Sequence, residues 1–139
     1  MAAVITKNGK NAILARGFTN ESSYFSWMSA GVGTTIPTED SVGLSQECTP
    51  ATHGNYSRAL LTNTAEEGTK RMISSAIFIK DTDGNTDGNI RNQTTLKEIG
   101  ITDTSELSVD GNYWCICQIP DTPKNNGIEL KFTIVTTVV

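Results

Sequence analysis

Charge is scarce in this chain: Lys, Arg, Asp and Glu make up 19% of the 139 residues, with a net charge of −4. A nucleic-acid partner would require clustered Lys and Arg to displace phosphate counterions, and here the basic residues are scattered. Only Lys70 and Arg71 are neighbours, which reads as a solvated strand end. Long apolar runs are missing too. No stretch approaches the roughly 18 apolar residues that a membrane-spanning helix needs. The first seven residues, ending Ile5-Thr6-Lys7, lack the apolar centre of a signal peptide, so synthesis in a cytoplasm is expected.

Histidine occurs once, as His53, and cysteine three times, as Cys48, Cys115 and Cys117. An odd cysteine count at these spacings is no secreted disulfide framework. Cys115 and Cys117 lie two apart on an expected strand, sharing a face but too distant for an unstrained bridge. Buried free thiols are the expectation, and with one His the set forms no zinc site. A nucleophile needs an activating base, and His53 stands in a loop without a nucleophile motif. Among Glu39, Asp40, Glu66, Glu67 and Glu98 no spacing singles out a catalytic carboxylate pair. The expected catalytic, cofactor-binding and metal-binding residues are therefore none, and the chain is read as non-enzymatic.

What is plentiful is Thr, Ser, Asn and Gly beside a modest 37% of hydrophobic residues. Thr favours strands, while Asn and Gly favour tight bends, so the chain should be mainly β. Its length suits one domain over residues 1–139. Thr6 can cap a short helix over residues 7–16, with Ala12, Ile13 and Leu14 as its apolar stripe, Gly17 as its stop and Gly9 weakening its first turn.

Residues 24–32 read as a central strand, with Tyr24, Ser26, Met28 and Ala30 on one face and Phe25, Trp27 and Ser29 on the other. A loop follows, since Gly31 and Gly33 permit bends and Pro37 blocks ladder pairing. No Lys-Ser or Lys-Thr closes it, so it is not a phosphate loop. Residues 56–62 and 71–80 read as a hairpin. In the second of these Ile73, Ile77 and Ile79 alternate with Ser74, Ala76 and Phe78, leaving little water on either side.

Between Asp81 and Asn89, the positions Asp83, Asn85, Asp87 and Gly88 match the opening of a calcium loop. The closing Glu would fall at Thr94, and the repeated Asp-Gly pairs suit an exposed hairpin tip, which is the preferred reading. Three further strands are expected over residues 95–101, 113–119 and 127–135. In the last, Ile128, Leu130, Phe132 and Ile134 should face inward, with Glu129, Lys131 and Thr133 outward. About seven short strands with frequent turns make an antiparallel β-sandwich carrying a short N-terminal helix.

The order of segments adds a resemblance. The run from Ile5 to Lys10 with Ile13, Leu14 and Arg16, then Gly31 to Thr38, then Tyr56-Ser57-Arg58, then Leu96 to Ile101 and an alternating C-terminal strand resembles small tailed-phage virion structural proteins of the tail-fibre-like or capsid decoration-like kind. It departs at Ile101, where that family often has an aromatic, and in the insertion from Asp81 to Asn92. The resemblance implies a subunit of the virion made in the host cytoplasm, with copies of itself and other virion proteins as partners, and with no nucleic acid or membrane partner. Two stations are open, a capsid decoration or cement protein and a tail-fibre or baseplate component. The alternative is a carbohydrate-binding or adhesin module using Tyr24, Trp27, Tyr113 or Trp114 on a shallow surface, although their alternating apolar context points to core.

Overall fold

The computed structural model describes residues 3–18, 24–80, 88–90, 93–107, 111–125 and 129–137. Strand β1 (Ala3–Ile5) leads into helix α1 (Lys7–Phe18) through Thr6, whose hydroxyl accepts the Gly9 N–H at 2.9 Å and donates to the Tyr113 carbonyl. This is the expected cap, and it also ties the helix start to a strand. Gly9 has a use that its low helix propensity hides. A Cβ there would lie 2.5 Å from the Tyr113 oxygen and 2.7 Å from Trp114 Cα. The expected apolar stripe is not what the helix buries: Ala12 is buried, but Ile13 and Leu14 are 46% and 59% exposed.

Seven further strands, β2 (Trp27–Gly31), β3 (Ala59–Leu60), β4 (Thr62–Glu66), β5 (Arg71–Lys80), β6 (Asn89–Ile90), β7 (Thr94–Thr102) and β8 (Tyr113–Lys124), precede β9 (Leu130–Thr137). One sheet runs β1-β8-β7-β2-β3 and the other holds β4, β5, β6 and β9. All pairings are antiparallel except β5 with β6. The chain is thus the expected mainly β sandwich with one short N-terminal helix, with nine strands rather than seven among the described residues. The shortest, β1, β3 and β6, are two or three residues long, too short to show a period.

Met28, Ala30, Ile99, Ile101 and Cys115 from the first sheet meet Ala76 and Phe78 from the second in one buried cluster. Strand β2 is central, as expected, between β7 and β3. The expected hairpin is corrected in its first arm. The chain changes sheets at Leu61, so Ala59–Leu60 pairs β2, and it is Thr62–Glu66 that turns back onto β5. Lys70 sits in that turn at φ 57°, and Arg71 opens β5 with an ion pair to Glu66 at 3.1 Å. Strand β5 is not dry on both faces either. Ser74, Ala76 and Phe78 are buried, while Ile77 is 46% exposed, because no described element covers that face of the second sheet.

In β9 the alternation holds. Leu130, Phe132 and Ile134 pack against the core and Lys131, Thr133 and Val135 are exposed; Ile128 lies outside the described residues. Phe132 meets Phe78 edge-on at 6.2 Å but keeps part of its surface in water. Phe132→Ala should therefore cost about 2–3 kcal/mol, below the full price of a deeply buried ring, and Lys131→Ala under about 0.5 kcal/mol. Denaturant midpoints of the two variants check this. Equal losses would show a register one residue out, which exchanges the two faces.

Candidate functional site

The densest chemistry lies on the outer face of the first sheet, beneath the loop formed by residues 32–47. Glu98, on β7 beside Gly31, is 2% exposed. Its carboxylate accepts the backbone N–H groups of Gly33, Ser45 and Gln46, each at 2.9 Å, and the Ser45 hydroxyl at 3.1 Å. Both ends of the loop are thereby fixed to one strand. The loop also reaches α1, through the Lys7 N–H on the Glu39 carbonyl and an ion pair of Lys7 with Asp40 at 2.7 Å.

Beside it, Arg58 grips Glu47 with two parallel bonds of 2.8 Å and gives a third to the Thr104 carbonyl. Tyr56 donates to Glu47 at 2.8 Å while its oxygen accepts the Ala30 N–H, and Tyr113 donates to Ser29. Glu47, Arg58, Glu98 and Tyr113 line a cavity of about 390 Å³, together with Ile36 and Val42, 67% and 70% exposed.

The electrostatics of this cluster hold protons in place. Burial, with Glu47 nearby, pushes the Tyr56 and Tyr113 phenols well above their usual range. Burial beside Glu47 and Glu98 raises the Cys48 thiol to about 12. For Arg58 burial alone would lower the pKa, but the bonds to Glu47 outweigh it and the guanidinium stays charged. A group poised to give or take a proton near neutrality would have its pKa moved toward 7, and these shifts run the other way. The arrangement suits holding a loop in one shape.

A second hollow, of about 950 Å³, opens between the sheets where α1 meets their ends. Ile13, Phe25, Met72, Ile101 and Trp114 line it, with Arg16 at its side. The Arg16 side chain is nine-tenths buried, bonded to Asp103 at 2.6 Å and stacked 4.6 Å over the Phe25 ring. Its Nε and Nη1 have no hydrogen-bond partner, and the face of Phe25 offers partial compensation.

The residues singled out from the sequence do not converge. His53 accepts the Thr49 N–H through Nδ1 at 3.0 Å and belongs to its own turn. Cys48 and Cys115 are buried and Cys117 half-buried, all unpaired. Contact with Cys117 and burial push the Cys115 thiol up, whereas its bond to Cys115 lowers Cys117. Among the described residues no three His, Cys, Asp or Glu side chains are grouped to hold a metal ion. Asp83, Asn85 and Asp87 lie outside the described residues, and Gly88 serves β-structure, accepting the Ile79 N–H at 2.7 Å. Of the four aromatics weighed for sugar binding, Tyr113 is buried and Trp27 and Trp114 half-buried, leaving Tyr24 at 73% exposure. Among the described residues no helix is long and apolar enough to cross a membrane.

No family model, curated protein or solved structure matches this chain. The sheet edges differ in how they are protected. Strands β1 and β3 are blunted by their length, three and two residues. Beyond the reach of β1, the outer part of β8 carries Pro120, Asp121 and Pro123, which spoil pairing. Strand β4 is polar, with Thr62, Asn63 and Thr64 exposed. Strand β9 pairs only β5 among the described residues, and its eight residues hold no Pro, no Gly and one charge, Lys131. Among the described strands it is the longest open edge, and that lysine is its one guard.

Proposed function

We propose that this chain is a non-enzymatic structural subunit that works inside a larger assembly, on the surface of a tailed virus particle. The observation that carries the assembly role is the long edge of β9, which Lys131 alone guards. A strand edge presents unpaired N–H and C=O groups, and proteins that work alone blunt such edges, as this one does elsewhere. The loop lattice around Glu98 and Arg58 supports the same reading, because buried polar groups are spent on rigidity. Association with a virion draws on the resemblance of the segment order to small tailed-phage structural proteins, for either a decoration or a tail station. A glycan-binding role would draw on Tyr24 alone.

Light scattering on the purified chain, alone and mixed with intact particles, tests the proposal. Self-association or particle binding is the expected result. A persistent monomer that never binds particles would overturn it.

A further inference from the structure

Resting on that assembly reading, we infer that the occupant of the β9 edge is β9 of a second copy of this chain, paired antiparallel about a twofold axis at Thr133. In an antiparallel pair every second residue turns its backbone N–H and C=O toward one neighbour, so one set on β9 serves β5 and the other is left for a partner. A second β9 carries the same set in the same order. A twofold axis normal to the sheet keeps inner faces inner, provided that paired residues lie on the same face.

Centring on Thr133 meets that condition and aligns the strands over residues 130–136. Phe132 then faces Ile134 twice, once on each side of the axis, covering two side chains that the single chain leaves half exposed. Leu130 faces Thr136, and Lys131 faces Val135, which is 44% exposed. Centring on Lys131 would oppose the two lysines, and centring on Ile134 would set Phe132 against Thr136 instead of Ile134. The outer face agrees in charge. Exposed Glu129 comes opposite Thr137 of the other copy, whose in-register neighbour on β5 is Arg71, a guanidinium it would share with Glu66. That places a carboxylate and a guanidinium two strands apart, at about 10 Å, at each end of the seam. The joined sheets form one continuous layer through both copies.

Charge substitutions at Val135 test both the edge and its register, because Val135 lies on an exposed outer face and neither change disturbs the core. V135K puts a lysine opposite Lys131 twice in the dimer, and should weaken dimerisation about tenfold by sedimentation equilibrium; V135E puts a carboxylate there and should strengthen it. In parallel, T133C should give a covalent dimer on mild oxidation, since the two sulfurs meet at the axis, whereas T137C should not. Circular dichroism and denaturant midpoints of each variant confirm that the monomer still folds. A chain that dimerises with both Val135 variants shifted in the same direction and no T133C cross-link would overturn this pairing while leaving the assembly role standing. A monomer that binds particles would do the same, giving the edge to a different protein. A monomer that binds nothing would overturn both.

Discussion

Glu98→Ala should destabilise the isolated chain by about 3–5 kcal/mol, since it removes a buried acceptor and leaves several donors without a partner. The carboxylate takes three backbone N–H groups and a hydroxyl from the loop of residues 32–47. Backbone groups cannot be mutated away, so once the acceptor is gone Gly33, Ser45 and Gln46 must find water. The loop then lifts from the sheet. Two measurements separate this from a generic loss of packing. The denaturant midpoint should fall with little change in slope, and limited proteolysis should cut first within residues 34–44, around exposed Ile36 and Val42. Glu98→Gln keeps one carbonyl acceptor but turns an amide donor toward donors, so it should recover only part of the loss. Gly33→Ala approaches the same result from the other side, because a Cβ there would lie 1.9 Å from Ser45 Oγ and 2.4 Å from Glu98 Oε2. A Glu98→Ala protein within about 1 kcal/mol of the parent would show that the loop is held by something else.

The residues that make this lattice show where a sequence is legible and where it is not. Thr6 announces the helix because its partner, Gly9, is three residues away. Strand β9 announces itself because a period of two is written into consecutive residues, and the structure keeps that alternation from Leu130 to Thr137. Glu98 bonds to groups 52 to 65 positions away, and no local pattern names them. The signal available was the misfit of a carboxylate in the middle of a strand, between Leu96 and Gly100, where exposure would be expected only at every second residue. As one of five acidic residues without a spacing partner, it gave no reason to be chosen.

Arg58 was legible only as part of a short segment, since its burial depends on Glu47 across a loop and on carbonyls near position 104. The first arm of the expected hairpin fails for a related reason. Residues 56–62 read as one strand, but the exposed Leu60 and buried Leu61 mark a crossing between sheets that periodicity does not distinguish from a continuing strand. The lightly guarded edge is readable only by comparison. Pro120 and Pro123 become edge guards once β8 is known to outrun β1, and β9 becomes unusual once the other edges are seen to be protected.

Arg58→Met should cost about 3–5 kcal/mol, comparable with the loss at Glu98 and separable from it by a double-mutant cycle. The guanidinium is 5% exposed and spends its donors on Glu47 and on the Thr104 carbonyl, while Tyr113 lies beneath it with 5.9 Å between the guanidinium carbon and the ring centre. Removing it strands Glu47 next to the Tyr56 hydroxyl in a place where a carboxylate has little water. Arg58→Lys should recover less than half of the loss, because an ammonium cannot make the two parallel bonds that a guanidinium makes. Glu47→Leu alone should be costly for the converse reason, leaving a buried cation. The double substitution, Glu47→Leu with Arg58→Met, should be less destabilising than the sum of the two by about 1–3 kcal/mol, since it leaves neither charge unpaired. Salt should change the parent's stability little, because a pair this deeply buried is poorly screened. Strict additivity of the two single losses would mean that Arg58 and Glu47 act through separate contacts, and that the ion pair does not hold this end of the loop.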